Sequence, residues 1–326
     1  MSAEFEHRGI PNKGSIQAHR ASVDIVSPLD LQRTYQDLKD ANAPIIYRYQ
    51  QLPQQNGYVL YHEESDVNEL TISSDQKEII VRYPDSQLRN GEVLFSAAYP
   101  LIESQLQEQG HLTCHAACVV VEGQGVLLLG PNGSGKTSAV LELCRKYGAK
   151  LMGNNSCIIG LDNALRTVEG TKSLILRYSS IVQDHPELTH LFNADEKDPW
   201  RKKISVAPEE IGIQTQEEPV SVESAYLLHV DNTLLELYRD KANALDDKLY
   251  LYDNFSRIIR LTGMTPLIGD KYDFSSYFPS LDKQQYYEGR IALIGYLQDK
   301  LLMDRLTGPL DRVVGFIADE AKEKAK

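Results

Sequence analysis

The feature that most constrains the fold is a glycine-rich segment in mid-chain, Gly130-Pro-Asn-Gly-Ser-Gly-Lys-Thr137. A short apolar run leads directly into it and ends at Leu129. The residues after it place apolar side chains at helical spacing until Gly148, which can end a helix. A strand, a glycine turn and a helix in this order predict an α/β nucleotide-binding fold, with its chemistry at the turn.

The spacing Gly-x-x-x-x-Gly-Lys-Thr is typical of phosphate-binding loops, in which successive backbone N–H groups surround nucleotide phosphates. Lys136 can neutralise charge between the β- and γ-phosphates, and Thr137 offers a hydroxyl to bound Mg²⁺. The dipole of the following helix favours the same anion. A plain glycine turn is the alternative, but it leaves Lys136 unexplained. The predicted nucleotide-binding residues are Gly130, Asn132, Gly133, Ser134, Gly135, Lys136, Thr137 and Ser138.

The charge balance argues against two classes of partner. The 326 residues include 46 acidic and 34 basic side chains, a formal net charge of −12, whereas nucleic acids and anionic membranes attract a surplus of Lys and Arg. No apolar run approaches the roughly 20 residues of a membrane helix, and the amino terminus lacks the apolar core of a secretory signal. These observations predict a cytoplasmic protein with neither nucleic-acid nor membrane partner.

The four cysteines stand in apolar surroundings, which predicts reduced core residues and no disulfide framework. Cys114 and Cys118, spaced i, i+4 beside His115, raise the alternative of a metal site. No second ligand pair stands at the spacing that zinc sites use.

Composition and periodicity divide the chain into four parts. They are a mobile arm over residues 1–22, a small mixed α+β segment over 23–95, the nucleotide-binding domain over 96–320 and a charged tail over 321–326. The predicted helices are 30–41, 91–110, 138–147, 236–263, 286–302 and one from 310. The predicted strands are 58–62, 69–73, 78–83, 116–121, 125–129, 150–155, 157–161, 173–176 and 225–230. The polar segment 184–203 is predicted to be a lid-like loop.

Several motifs around the glycine segment carry a family resemblance. They are His115-Ala-Ala-Cys-Val-Val-Val, Gly125-Val-Leu-Leu-Leu-Gly130, Lys146-Tyr-Gly-Ala-Lys-Leu-Met-Gly153 and, more loosely, Ala225-Tyr-Leu-Leu and Met303-Asp-Arg-Leu-Thr-Gly-Pro-Leu-Asp-Arg-Val-Val. With these motifs the chain resembles the HPr kinase/phosphorylase family, P-loop kinases that share a core with phosphoenolpyruvate carboxykinase. The resemblance covers residues 95–320 and is strongest over 115–160.

The resemblance implies a kinase that uses ATP or GTP with Mg²⁺ and moves the γ-phosphoryl group to a hydroxyl of a small molecule or peptide. Members often form oligomers, so a homo-oligomer is one option. His115 stands where the family has a histidine near the active site. A buried, hydrogen-bonded histidine at a strand start is the alternative interpretation of His115.

The family's strand after the loop helix ends in two aspartates, one for the metal and one to remove the acceptor's proton, but this chain has Asn154 and Asn155 there. An amide accepts no proton, although its carbonyl oxygen still ligates Mg²⁺. Three interpretations remain: an active kinase that uses another carboxylate, a catalytically silent nucleotide-binding regulatory or scaffold protein, and asparagines introduced to trap a complex. A motor or transport ATPase is disfavoured because its signatures are missing.

Other residues could supply the missing charges. Asp231, which follows the apolar run 225–230, is the best substitute carboxylate, and Asp162 is second. Each also stands in an Asp-Asn pair that favours a turn by itself. Four cations could meet the transferred phosphoryl group, with a solvated charge run as the alternative; they are Arg177, Arg201, Lys202 and Lys203.

Overall fold

The computed structural model describes residues 11–40, 46–66, 69–83, 92–192, 202–260 and 280–326. They form a mixed α/β protein, which confirms the predicted class at this level. Its contacts divide the chain into two compact units. The first comprises Met1–Gln109 with Ser256–Tyr286, and the second comprises Gly110–Phe255 with Tyr287–Lys326.

The first unit is built on a six-stranded sheet. Its strands are β1 (Asn12–Ala18), β2 (Ala21–Ser27), β3 (Arg48–Gln50), β4 (Val59–Glu64), β5 (Glu69–Ile72) and β6 (Glu78–Tyr83), in the order β3-β1-β2-β4-β6-β5. Helix α1 (Leu31–Asp40) packs near β1, and helix α2 (Glu92–Glu108) packs against β2. Leu94, Leu101 and Leu106 of α2 are fully buried.

This unit differs from the sequence predictions in three strands that were not predicted, β1, β2 and β3, and in the position of its boundary. Residues 12–18 of the predicted arm form β1, which pairs with β2 over seven register positions; residues 1–10 lie outside the described residues. The sequence of β1 is largely polar and shows no strand pattern. The strand is stabilised by its backbone hydrogen bonds to β2. The contact boundary falls after α2, between Gln109 and Gly110, and not at residues 95 and 96.

The second unit contains a nine-stranded mixed sheet. Its strands are β7 (His111–Cys114), β8 (Ala117–Val121), β9 (Gln124–Leu129), β10 (Lys150–Gly153), β11 (Cys157–Leu161), β12 (Leu165–Gly170), β15 (Val220–Val230), β16 (Tyr238–Lys241) and β17 (Asp304–Gly308). The order is β10-β8-β9-β15-β12-β11-β7, with β17 beside the end of β15 and β16 beside β17. A separate two-stranded ribbon joins β13 (Leu174–Arg177) to β14 (Lys203–Val206).

Helices cover both faces of this sheet. They are α3 (Lys136–Tyr147), α4 (Tyr178–Asp184), α5 (Leu245–Ser256), α6 (Gln284–Gly295) and α7 (Leu310–Lys324). Val126 and Leu128 of β9 join the core beneath α3 and α7, whereas Leu127 and Leu129 join the core beneath α5 and α6. Burial on both faces explains why β9 is an unbroken apolar run and shows no alternation.

Three predictions for this unit need correction. Residues 236–263 are not mainly helical: β16 is an exposed edge strand with a polar sequence, so only α5 is predicted correctly, and residues 261–263 lie outside the described residues. The helix predicted over 286–302 gives way to a π turn at Tyr296–Lys300. The tail from residue 321 continues α7 as far as Lys324.

The loop predicted over 184–203 is ordered where it is described. A 3-10 helix spans Pro186–Leu191, and Leu188 and Phe192 are buried in the core. Residues 193–201 lie outside the described residues, so the lid stays a prediction there.

No helix in the described ranges has both the length and the apolar character to cross a membrane. All four cysteines are buried and free, as predicted. Their burial raises the pKa of Cys118 to about 11 and that of Cys144 to about 12.

Candidate functional site

The glycine-rich loop connects β9 to α3 at the carboxyl end of the strand. Gly133 and Gly135 have φ values of 83° and 88°, in the left-handed region that favours glycine. A Cβ on Gly135 would also lie 2.4 Å from the Cβ of Val230. Both constraints select glycine at this position, so the backbone follows a path closed to other residues.

Lys136 begins α3 and is only 6% exposed. Its ammonium group donates hydrogen bonds to the carbonyl oxygens of Gly130 at 2.6 Å and Pro131 at 3.1 Å. The loop thus curls around the lysine head group. The positive charge is held beside the first turn of α3, where the helix dipole adds further positive potential.

A cleft of about 400 Å³ opens over the loop. It gathers most of the predicted site residues: Asn132, Gly133, Ser134, Gly135, Lys136, Thr137, Ser138, His115, Asn155 and Asp231. Gly130 is outside the lining and forms the start of the loop. Asn154 is outside the lining too, but its Oδ1 lies 3.5 Å from the Oγ1 of Thr137.

Sheet topology explains why these distant segments meet. β15 runs parallel to β9, and β10 and β9 are both antiparallel to β8. The carboxyl ends of β9, β10 and β15 therefore lie at one edge of the sheet. The glycine loop, the asparagine pair and Asp231 follow these three ends.

The asparagine pair follows β10 and combines burial with unsatisfied amides. Asn154 is 1% exposed, and its backbone N–H donates to the carbonyl of Thr171. Within the described part of the chain, the side-chain Nδ2 atoms of Asn154 and Asn155 are buried without a hydrogen-bond partner. Asn155 has a φ of 67°, a conformation that Asn and Asp adopt more readily than most residues. Buried amide groups without a hydrogen-bond partner are uncommon in folded proteins, so these two amides are candidates for contact with a ligand.

His115 lies between β7 and β8, at the same edge. Its Nδ1 is 2.8 Å from the carbonyl oxygen of Asn155. Because a carbonyl can only accept, Nδ1 carries the hydrogen, and in the neutral ring Nε2 keeps the lone pair. This hydrogen bond leaves Nε2, a buried atom, as the ring nitrogen that can accept a proton.

Helix α5 supplies two positioning residues that sequence reasoning missed. Asn254 accepts from the backbone N–H of His115 at 2.7 Å and donates to its carbonyl at 3.0 Å. The hydroxyl of Tyr250 accepts from the N–H of Gly130 at 2.9 Å and from Asn254 at 3.1 Å. Periodicity predicts a helix here, but no local signal shows which of its side chains reach a loop more than 100 residues earlier.

Two carboxylates line the cleft. Asp231 accepts from the N–H of Thr233 at 2.9 Å and from its hydroxyl at 2.6 Å, and these hydrogen bonds lower the pKa of Asp231. Asp184, absent from the sequence predictions for this site, accepts from Ser138 at 2.6 Å and from Asn232 at 2.9 Å. Asp162 lies in the exposed turn between β11 and β12 and does not line the cleft.

Of the four candidate cations, Arg177 and Lys203 line the cleft. Lys202 precedes β14 and is not in the lining, and Arg201 lies outside the described residues. The chain thus brings three cations, including Lys136, and two carboxylates to one cleft.

The oxygen donors suit a hard cation such as Mg²⁺. The hydroxyl of Thr137, the buried amide oxygen of Asn154 and the carboxylate of Asp231 are all oxygen ligands of the type that Mg²⁺ takes. No group of three or more His, Cys, Asp and Glu residues that could hold a metal occurs in the described ranges.

A comparison with models of known protein families finds no match for this chain, and a comparison with curated proteins finds no similar sequence.

Proposed function

We propose that the protein is an ATP- or GTP-dependent kinase of the HPr kinase type, which transfers the γ-phosphoryl group to a hydroxyl of a small molecule or peptide. One observation carries the proposal. A strand, a left-handed glycine loop and a helix enclose Lys136, and the same 400 Å³ cleft is lined by His115, whose Nδ1 is hydrogen-bonded to the carbonyl of Asn155.

Each residue then has a role that its position supports. The loop N–H groups and Lys136 bind the β- and γ-phosphates. Thr137, Asn154 and Asp231 are the residues that would hold Mg²⁺, which when bound neutralises phosphate charge. His115 takes the acceptor's proton at Nε2, a role that Asn155 cannot fill because an amide accepts no proton. Asn155 keeps the imidazole in place through its backbone carbonyl.

A catalytically silent nucleotide-binding protein is the second candidate. The asparagines at 154 and 155 favour it, since they remove both charges expected beside the loop. In that case the cleft binds the triphosphate and turnover stays absent with every acceptor.

Product release separates the candidates. Purified full-length protein is incubated with Mg²⁺ and ATP or GTP, and diphosphate release is followed with and without pools of hydroxyl metabolites and peptides. A kinase gives acceptor-dependent release. His115→Gln should lower that rate by about 10²- to 10⁴-fold, the usual contribution of a positioned base. His190→Gln, at an exposed histidine outside the cleft, serves as the matched control.

Binding without turnover in every acceptor pool supports the silent protein and removes the kinase proposal. An unchanged rate in His115→Gln assigns the base elsewhere.

A further inference from the structure

The β13–β14 ribbon places two like charges side by side. Arg177 and Lys203 are directly opposite each other in its antiparallel register, and both side chains line the cleft. Like charges at opposed positions destabilise a strand pair. An anion bound between the two side chains would relieve this repulsion.

Among the described residues, no acidic side chain neutralises either cation. The side chains of Arg177 and Lys203 form no ion pair or hydrogen bond with any residue that the structure describes. The two carboxylates of the lining, Asp184 and Asp231, accept from neutral side chains and backbone: Ser138, Asn232 and Thr233. In a chain with a net charge of −12, two unpartnered cations facing one cleft stand out.

The ribbon is also separate from the sheet that carries the glycine loop. The loop already offers backbone N–H groups, Lys136 and a helix amino terminus to the triphosphate. The two ribbon cations enter the lining from different elements, β13 and β14, and the lining also includes the polar side chains Ser180 and Gln183. The cleft therefore has two cationic elements of independent origin.

We infer that Arg177 and Lys203 bind an anionic group of the phosphoryl acceptor. The acceptor class is then a small hydroxyl compound that itself carries a phosphate or carboxylate. This assignment rests on the proposed kinase function and specifies its substrate. Arg177 presents a planar donor fork to the oxyanion, and Lys203 adds a point charge.

The test fills the γ-phosphate position first. Full-length protein is saturated with Mg²⁺ and a non-hydrolysable ATP or GTP analogue, and inorganic phosphate is then titrated by calorimetry. The parent should bind phosphate with the analogue in place. Arg177→Gln and Lys203→Gln should each weaken that binding by about 10- to 100-fold, the loss of one or two charge-assisted hydrogen bonds. Neither change should lower the melting temperature, because each relieves the opposed charges.

Matched controls are Arg166→Gln and Lys150→Gln. Both side chains are exposed on strands of the same unit, opposite the uncharged Ser221 and Val120, and neither lines the cleft. Their phosphate affinity should equal that of the parent.

Three results overturn the inference. Equal phosphate binding in all variants removes the ribbon site. If Arg177→Gln and Lys203→Gln weaken binding of the triphosphate analogue but leave the affinities for diphosphate and for inorganic phosphate unchanged, the two cations bind the γ-phosphoryl group and not the acceptor. A parent that binds no nucleotide removes the proposed function, and the acceptor assignment with it.

Discussion

Gly135 is a residue at which the loop tolerates little change. Its φ of 88° disfavours any side chain, and a Cβ would collide with Val230. Gly133 has a similar φ of 83°, but a Cβ there meets nothing within 4 Å. The two glycines therefore separate backbone strain from steric overlap.

We expect Gly133→Ala to lower the free energy of unfolding by about 1 to 2 kcal/mol, the cost of a left-handed alanine. Gly135→Ala should cost a further amount of about 1 to 3 kcal/mol because Val230 must move. Denaturant titration of both variants checks this. Equal losses would mean that the contact with Val230 does not constrain the loop.

Asn154 is the residue whose replacement best probes the metal. It is almost fully buried beside the hydroxyl of Thr137, so a carboxylate at this position would be desolvated unless a cation neutralised it. Asn154→Asp should lower the melting temperature without metal. Mg²⁺ with nucleotide should then raise that temperature more in the variant than in the parent.

The double change Asn154→Asp with Asn155→Asp adds a carboxylate base in the cleft lining. Acceptor-dependent turnover should rise by an order of magnitude or more, because a positioned base typically contributes about 10² to 10⁴ in rate. Asn163→Asp, in an exposed turn, is the control. If turnover is unchanged in the double variant while Asp231→Asn abolishes it, Asp231 alone holds the metal role.

At the scale of elements, helix α5 links His115 to the glycine loop. Asn254 fixes the backbone of His115, and Tyr250 accepts from Gly130, so one helix face positions both sides of the site. A change on α5 should therefore act on nucleotide binding without any contact to the nucleotide.

Tyr250→Phe leaves the N–H of Gly130 without its acceptor. We expect a loss of about 1 to 3 kcal/mol in stability, as for an unsatisfied buried donor, and weaker nucleotide binding measured by calorimetry. Tyr287→Phe, at a half-exposed tyrosine of α6, is the control and should leave both quantities unchanged. Unaltered affinity in Tyr250→Phe would show that the loop holds its shape without this hydrogen bond.

Strong local patterns made most elements around the site predictable. The apolar run of β9, the glycines and the helical spacing of α3 predict the strand, loop and helix, and Gly148 ends α3 in a left-handed conformation as expected. β1 and β16 are polar and depend on pairing with a neighbour, so their sequences carry no strand signal. β7 and β12 were missed as well.

At the scale of the whole molecule, the site depends on contacts between segments far apart in the chain. Asn155 and Asp231 reach one cleft because the carboxyl ends of β10 and β15 share an edge of the sheet. His115 joins them from the turn before β8, and Asp184 joins them from the end of α4. No local pattern reveals these relations. The family resemblance anticipated His115 and Asn155, and the apolar run 225–230 anticipated Asp231. Asp184 and the α5 side chains carry no motif, so only the fold identifies them.

The central claim is that the glycine loop of the second unit binds a triphosphate through Lys136. The most direct test is calorimetric titration of full-length protein with Mg²⁺ and ATP or GTP, comparing the parent, Lys136→Ala and the exposed-lysine control Lys150→Ala, with melting temperatures to verify folding. The account predicts binding in the parent and control, and an affinity lower by about 10- to 100-fold in a folded Lys136→Ala. Equal affinity in all three proteins would contradict it.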